Sequence, residues 1–378
     1  MKVLLDCHVF ATSPGGGIAR VFREWIPRIA AQREDVELTW YAPRAAAGWR
    51  LPAGPRIRRI MGWRRSAAGR WAEARVNRWR LARAEFDVFH STYYGAPPVK
   101  VPRRIMTAYD FVDDETVSSF SNNAWPTGDP CTFAAWMKAA MAGSDLVVAI
   151  SEHTRQLVLH YCRLSPERVV TAQLAASDAF RGPLPTAAET ASFRASRGLH
   201  KDYWLYVGRT RGYKNFWLLL RAFARRAAAT EEDLVLVSSG QPFTSGQKDF
   251  IIRNRLLQRI HVLAGIDDAG LRLAYAGAIA FVFPSVSEGF GIPLLEAMAS
   301  GAAVIASDIP VFHEVAGDAA VYVPWHDEEA LSAAMQRIRS DDFLAADLRA
   351  RGQRRVDLFS WDRSARTVAD AYDRVLRG

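Results

Sequence analysis

Residues 278–301 read AIAFVFPSVSEGFGIPLLEAMASG, and this stretch decides the fold. Its first seven residues are apolar enough for a buried strand, and residues 292–299 have the composition of a helix. Between them, Gly289 and Gly291 carry no Cβ, so the backbone of this turn can approach a ligand closely. Pro293 falls in the first helical turn, where proline is tolerated. A buried strand, a glycine turn and a helix in this order predict one unit of a parallel α/β sheet.

The same turn predicts a ligand site. Free backbone amides at the start of a helix attract phosphate groups. Glu288 stands before these amides and Glu296 follows eight residues later, so two carboxylates flank the predicted anion site. Carboxylates accept strongly from hydroxyl groups, and a nucleotide sugar has phosphates in its middle and hydroxyls at both ends. The alternative is that Glu288 caps the helix and Glu296 lies on the surface.

A second motif, VGRTRGYKN at residues 207–215, leaves a predicted strand and enters a predicted helix. The carboxyl ends of parallel strands meet at one edge of a sheet, so we expect Arg209 and Lys214 at the same edge as Glu288. Two cations there would neutralise a diphosphate leaving group as a glycosidic bond breaks. Arg211 lies in the same loop and ranks below the other two. The alternative is a loop of solvated charges.

The chain as a whole alternates predicted strands with helices. Its 378 residues suggest two domains, and the Pro- and Ala-rich segment RGPLPTAAET at 181–190 is predicted as the linker. The predicted fold class is α/β, with two Rossmann-like doubly wound domains facing a central cleft. The predicted N-terminal elements are strands 3–10, 36–41, 86–90, 104–108 and 146–150 and a helix over 18–31. The C-terminal ones are strands 203–207, 234–238, 260–263, 280–283 and 304–306 with helices 215–229, 246–258, 271–276 and 292–299.

Cysteine usage and hydropathy bear on the compartment. Cys7, Cys131 and Cys162 are odd in number and lack the spacing of metal ligands, which favours a reducing compartment and argues against structural zinc. No apolar run reaches the roughly 18 residues that a membrane span needs. We therefore expect a cytoplasmic protein.

A basic, tryptophan-containing stretch lies between Arg44 and Arg83, where twelve arginines accompany one acid, Glu73. Trp71 and Trp79 have helical spacing with neighbouring arginines. Such a face suits an anionic membrane surface, where the protein would bind peripherally. The alternative is a solvated helix whose tryptophans point inward. We expect no nucleic-acid partner, because no recognisable nucleic-acid module accompanies the charge.

The two motifs resemble those of the retaining family-4 glycosyltransferases, which adopt the GT-B fold. The resemblance runs from SPGGGIARVF at 13–22 to FSWDRSARTVADAY at 359–372, and FHSTYYGAPP at 89–98 is similar to the bacterial surface-polysaccharide branch. It implies an acceptor-side N-terminal domain over 1–182 plus 361–378, with a nucleotide-sugar domain over 183–360. The final helix, from about Trp361, would pack on the first domain.

The resemblance also implies roles for individual residues. It makes Arg209, Lys214 and Glu288 catalytic, with Glu288 on hydroxyls of the donor sugar. The implied donor-binding residues are Gly16, Gly17, Gly289, Phe290, Gly291, Ile292 and Glu296, the last on the ribose. No Asp-x-Asp motif follows a predicted strand, so we expect no metal ion and no other cofactor.

On the acceptor side the resemblance points to His90, Tyr93, Tyr109 and Asp110. Many family members carry a histidine at the place of Tyr109. Tyrosine is a poor base near neutral pH, because the pKa of its hydroxyl is about 10.

The leading hypothesis is retaining transfer of a hexose or deoxyhexose, mannose favoured, from a nucleotide sugar. A GDP-sugar is favoured over a UDP-sugar, and the acceptor would be a saccharide or a lipid-linked saccharide in surface-polysaccharide synthesis. Two alternatives stay open. One is a nucleotide-sugar epimerase or hydrolase of the same fold, and the other a non-catalytic protein that binds membranes or polyanions.

Overall fold

The computed structural model describes residues 1–12, 16–42, 51–54, 56–61, 79, 81–109, 130–238 and 243–377. These residues divide into two compact units. Unit 1 comprises the described residues up to 109, Cys131–Leu174 and the end of the chain from Ser360, and unit 2 comprises Ala175–Phe359. Most of the basic stretch lies outside the described residues, as does Asp110.

Unit 1 is built on a parallel sheet in the order β3-β2-β1-β4-β5-β6-β7. Described helices join β1 to β2, β5 to β6 and β6 to β7, as crossover connections between parallel strands do. The strands are Lys2–Asp6, Glu37–Ala42, Ile57–Met61, Val88–Ser91, Arg103–Ala108, Leu146–Ala149 and Val169–Thr171 (β1 to β7). The helices are His8–Thr12, Gly17–Gln32, Pro130–Ala142 and Glu152–Cys162 (α1 to α4).

Unit 2 repeats the same strand order, β10-β9-β8-β11-β12-β13, again with every pair parallel. Its strands are Tyr203–Val207, Asp233–Val237, Ile260–Leu263, Phe281–Phe283, Val304–Ser307 and Val321–Val323 (β8 to β13). Its helices are Ala187–Ser196, Phe216–Ala227, Ser245–Arg253, Asp268–Ala276, Ile292–Ala299, Pro310–Ala316, Glu328–Ser340 and Asp342–Val356 (α5 to α12). No helix among the described residues is both long and apolar enough to cross a membrane.

The last helix, α13 (Trp361–Arg377), packs within unit 1, as predicted. Trp25 of α2 donates its indole N–H to the Ser364 hydroxyl at 2.8 Å, and both groups are buried. Arg33 donates to both oxygens of Asp373 at 2.9 Å each, a geometry that only a guanidinium can supply. These contacts attach the end of the chain to its first long helix.

The first strand and the predicted linker differ from the bounds that the sequence suggested. The first strand ends at Asp6 rather than at residue 10, because the Asp6 carboxylate accepts from the backbone N–H of His8 at 3.1 Å and turns the chain into α1. The segment predicted as a linker contains the start of α5. There Thr186 and Glu189 form a capping box, with each side chain bonded to the backbone N–H of the other residue.

The helix predicted over 246–258 is also shorter than expected. It begins with a second capping box at Thr244 and ends at Arg253. Arg255 has φ at +56°, a left-handed conformation that cannot continue a right-handed helix.

His90 belongs to the core of unit 1. Its side chain is fully buried, with Nδ1 2.9 Å from the Tyr372 hydroxyl and Nε2 2.7 Å from the Thr107 hydroxyl. Burial lowers the pKa of the imidazole to about 3, so it is neutral at physiological pH. The proposed acceptor-side role of His90 is therefore wrong: both ring nitrogens are used in attaching α13 to β4 and β5.

We expect this histidine to make stability depend on pH. In the unfolded chain His90 has a pKa of about 6.5 and is protonated below that pH, whereas in the folded protein it stays neutral down to about pH 3. The free energy of unfolding therefore falls as the pH decreases from 6.5 toward 3. The contribution is about 1.4 kcal/mol per pH unit. His90→Gln should reduce the pH dependence of the urea midpoint between pH 6.5 and pH 5. Tyr372→Phe, which keeps the imidazole, should lower stability but keep that pH dependence; equal slopes in all three proteins would contradict the assignment.

Candidate functional site

The two predicted motifs leave neighbouring strands at the point where the order of the unit 2 sheet reverses. β8 and β11 are paired through Leu205 and Phe281, while β9 and β12 continue outward on opposite sides. The loops that follow both strands therefore leave the carboxyl edge side by side. In open parallel sheets, ligands bind in the crevice at this topological switch point.

An ion pair joins the two loops. Lys214 Nζ lies 2.6 Å from Glu288 Oε1, and the side chains are only 19% and 8% exposed. The same ammonium sits 5.2 Å from the ring centroids of both Tyr213 and Phe283. Aromatic faces attract cations, so the carboxylate and the two rings fix the Lys214 charge in one place. The sequence predicted Lys214 and Glu288 at one edge but gave no sign of these two rings.

Backbone contacts fix the path of the 208–215 loop. Gly208 has φ at +144°, which glycine adopts without steric cost. The N–H of Val286 donates to the carbonyl of Tyr213 at 2.8 Å, so the loops also bond through their backbones. Gln247, fully buried, donates to the carbonyl of Thr210 at 2.7 Å. The loop is thus held from two sides.

The side chain of Arg209 is exposed, while its backbone carbonyl accepts a hydrogen bond from the Tyr206 hydroxyl. Burial and the negative charge of Glu288 hold the pKa of Tyr206 well above its usual value, so this hydroxyl keeps its proton. Arg211 is exposed in the same way. The backbone of Arg209 is fixed and its guanidinium can reach a ligand.

The glycine turn is closely packed. Gly291 has φ at +101° and precedes α9, and a Cβ there would stand 3.1 Å from the Phe312 ring and 3.3 Å from Leu294. Phe290 is 2% exposed and packs edge-on against Phe359, with centroids 5.7 Å apart. The prediction that Phe290 binds the donor therefore fails for its side chain, which is part of the core. Only its backbone can face a ligand.

The remaining donor-side residues differ in burial. Ile292 opens α9 and is half-buried. Glu296 lies on the same helix and is 4% exposed, which excludes the alternative that it is a surface residue. In unit 1, Gly16 and Gly17 lie at the start of α2, where a Cβ on Gly17 would meet no atom of the described residues within 4 Å.

The described acceptor-side candidates lie after β4 and β5. Tyr93 is half-buried and stacks on His8. Tyr109 is 2% exposed, and its backbone N–H donates to the Tyr94 hydroxyl at 3.3 Å. The Tyr109 hydroxyl is buried, and the side chain of Thr107 is a hydrogen-bonding neighbour of it. Burial raises the pKa of this hydroxyl well above its usual value, so Tyr109 cannot act as a base at neutral pH.

In the described part of the chain, no group of three or more His, Cys, Asp or Glu side chains could hold a metal ion. Metal independence stays a prediction from the sequence, in which no Asp-x-Asp motif follows a predicted strand.

Comparisons with known proteins fit this geometry. Residues 15–173 match the family model described as Glycosyltransferase Family 4, and residues 189–355 match the one described as Glycosyl transferases group 1. The chain belongs to the glycosyltransferases. The two matched regions follow each other along the chain and together cover most of it.

Individual relatives extend over the full length of this glycosyltransferase. O-antigen chain mannosyltransferase B from Escherichia coli is 26% identical over 96% of this chain and 98% of its own. Sucrose-phosphate synthase from Thermosynechococcus elongatus shares the fold with a TM-score of 0.77 at 20% identity, over 99% of this chain and 98% of its own. Anabaena Alr3699/HepE, in complex with UDP-glucose, has a TM-score of 0.74 at 14% identity, over 99% of both chains. The glycosyltransferase therefore has the GT-B fold.

We expect the glycine turn to tolerate no side chain. Gly291→Ala adds a Cβ at positive φ against the Phe312 ring, so the start of α9 should shift. We expect this variant to bind the nucleotide at least tenfold more weakly and to have a lower melting temperature. Gly198→Ala is the matched control: its φ is +67° and a Cβ there meets nothing within 4 Å. The control should lose about 1 kcal/mol of stability and keep its nucleotide affinity, measured by calorimetry. Equal affinity loss in both variants would contradict the role of the turn.

Proposed function

We propose that this glycosyltransferase is a retaining mannosyltransferase of bacterial surface-polysaccharide synthesis. Its donor would be a nucleotide sugar, GDP-mannose in preference to a UDP-sugar, and its acceptor a saccharide or lipid-linked saccharide. The observation that carries the proposal is the Lys214–Glu288 pair at the switch point, beside the amides that open α9. The full-length similarity to an O-antigen mannosyltransferase supports mannose as the sugar.

The proposed chemistry follows from charge. As the bond between the anomeric carbon and the phosphate oxygen breaks, negative charge grows on the diphosphate. In this proposal Lys214, Arg209 and the α9 amides stabilise that charge, so the leaving group would need no metal ion. Glu288 would accept hydrogen bonds from hydroxyls of the sugar, and Glu296 from those of the ribose.

Retention follows in this proposal from a front-face reaction. The acceptor hydroxyl attacks on the side from which the diphosphate leaves, and the departing phosphate oxygen receives its proton. An oxocarbenium-like sugar forms between the two, without an enzyme nucleophile. Tyr109 takes no part as a base, consistent with its protonated hydroxyl.

The test is to incubate the protein with GDP-mannose, UDP-glucose or dTDP-glucose, with and without α-linked mannotriose, in EDTA. We expect GDP release only with acceptor present, and an α-linkage in the product by NMR. Release without acceptor would indicate a hydrolase. Thermal stability unchanged by all three donors would favour a non-catalytic protein.

Site variants check the residues themselves. Lys214→Ala removes a positive charge that would stabilise the leaving diphosphate. Glu288→Ala removes the acceptor for the sugar hydroxyls and the carboxylate that holds Lys214 in place. Each substitution should therefore lower kcat by a factor of about 100 or more. Lys248→Ala changes an exposed lysine of α7 and should keep wild-type turnover. Near-normal turnover in both site variants, with correct folding by circular dichroism, would disprove the assignment.

We also propose that the chain is cytoplasmic and contacts the inner face of the cytoplasmic membrane through the Arg44–Arg83 stretch. Of its described residues, Trp79 is 54% exposed and the Arg83 guanidinium lies 3.9 Å from the centroid of its ring. An exposed indole beside a cation suits the headgroup region.

Replacing Arg64, Arg65 and Arg70 with Glu should reduce co-sedimentation with anionic liposomes several-fold. The control replaces three exposed arginines elsewhere, Arg253, Arg354 and Arg366, with Glu and changes the net charge equally. An equal reduction in both triple variants would show a non-specific charge effect, and no reduction in the first would contradict membrane contact through this stretch.

A further inference from the structure

Two buried side chains of unit 2 bond to the backbone of the loop that carries Arg209. The hydroxyl of Tyr206, in β8, donates to the carbonyl of Arg209. The amide of Gln247, in α7, donates from Nε2 to the carbonyl of Thr210 at 2.7 Å. Neither Tyr206 nor Gln247 is exposed to solvent. Two successive carbonyls, the first of them that of Arg209 itself, are therefore held by donors in the interior of the unit.

The amide of Gln247 has one possible orientation. Its Oε1 accepts from the backbone N–H of Thr244 at 2.9 Å, and the backbone N–H of Gln247 donates to the Thr244 hydroxyl at 3.2 Å. This capping box uses the acceptor end of the amide, so the donor end is directed at Thr210. Exchanging the two ends would break both side-chain bonds of Gln247.

The Tyr206 ring is fixed as well. It belongs to the hydrophobic core and packs on Phe216, with centroids 5.1 Å apart. Its hydroxyl stays protonated, because burial and the charge of Glu288 raise the pKa of Tyr206 well above its usual value. A Cβ on Gly208 would stand 3.5 Å from the Tyr206 hydroxyl and 3.9 Å from Cδ of Lys214. The residue before Arg209 thus lies between this hydroxyl and the Lys214 side chain.

We propose that Tyr206 and Gln247 are positioning residues for Arg209, and we name their two bonds to the loop the arginine clamp. The inference rests on the proposed function, in which Arg209 stabilises the leaving diphosphate. An exposed arginine has many rotamers, so the direction of its backbone limits where its charge can go. A charge that is held in place before the reaction stabilises the transition state without a further cost of reorganisation. The clamp directs Arg209 from a point beside the Lys214–Glu288 pair.

Double-mutant cycles test whether the clamp acts through Arg209. Tyr206→Phe and Gln247→Leu should each lower kcat for transfer from GDP-mannose to α-linked mannotriose about 10-fold, with the KM for GDP-mannose within about threefold of wild type. In the Arg209→Ala background, neither change should lower kcat by more than about twofold further. In the Arg211→Ala background, each change should keep its full effect.

Tyr203→Phe is the matched control for Tyr206→Phe. Tyr203 is also fully buried in β8, and its hydroxyl donates to the carbonyl of Ala274 at 2.8 Å. This bond lies at the opposite end of the strand from the Arg209 loop. Tyr203→Phe should therefore lower the melting temperature about as much as Tyr206→Phe does, and leave kcat unchanged.

Gln247→Glu gives the clamp a pH signature. An ionised carboxylate in place of the amide can only accept, so it would repel the Thr210 carbonyl, whereas a protonated carboxyl can donate to it. Burial raises the pKa of a carboxyl group, so the kcat of this variant relative to wild type should rise as the pH falls from about 8 to about 6. The relative kcat of Gln247→Leu should not change with pH.

Several outcomes would overturn the arginine clamp. One is that Tyr206→Phe and Gln247→Leu lower kcat equally with and without Arg209, which would show an effect on folding alone. Others are an effect that disappears in the Arg211→Ala background instead, the same loss of kcat in Tyr203→Phe, or a relative kcat of Gln247→Glu that is independent of pH. Unchanged kcat in Arg209→Ala, or wild-type protein that transfers no mannose, would contradict the proposed function and the clamp with it.

Discussion

The ion pair between Lys214 and Glu288 is the interaction on which the donor-side architecture depends. Each charge is mostly removed from water, and a mostly buried charge without a partner would be strongly destabilising. The pair therefore requires both loops to be in place, and both loops require β8 and β11 to be neighbours in parallel register. In the proposed reaction, Glu288 holds the Lys214 ammonium in place, and Arg209 and the amides of α9 add to its attraction for a diphosphate.

The same sheet order occurs in both units, and it produces two switch points with different chemistry. In unit 2 the loops that follow these strands contain Lys214, Glu288 and the glycine turn. In unit 1 the Asp6 carboxylate, at the end of β1, bonds to the end of β4, and the rings of His8 and Tyr93 follow these strands. Topology determines where a crevice forms, and the loop residues determine what it binds.

Local sequence was enough to predict the elements of the donor site. The helix over 292–299 and the strand over 203–207 have the bounds predicted for them, because proline, glycine and hydrophobic pattern act over a few residues. Lys214 and Glu288 were predicted at one edge from the rule for parallel strands alone. Neither inference needed knowledge of a distant partner.

The wrong predictions for site residues depend on contacts between residues far apart in the sequence. His90 resembles a site residue at a strand end, yet Tyr372, 282 positions later, makes it a core residue. Phe290 is likewise removed from the ligand surface by Phe359. The early end of β1 has a local signal, an aspartate directly after an apolar strand. The bonds of Asp6 to Ser91 and Thr92, 85 and 86 positions away, have none.

Positive φ angles at the two switch points show how differently the loops are built. Gly291 adopts its angle without steric cost, and its missing Cβ leaves room for Phe312. Tyr94 adopts a comparable angle with a full side chain, at a position where glycine would relieve the strain. The ring of Tyr94 makes contacts that a glycine could not make: its hydroxyl accepts from the backbone N–H of Tyr109, and its ring contacts Tyr93 and Trp136. These contacts help to hold the backbone in its left-handed conformation.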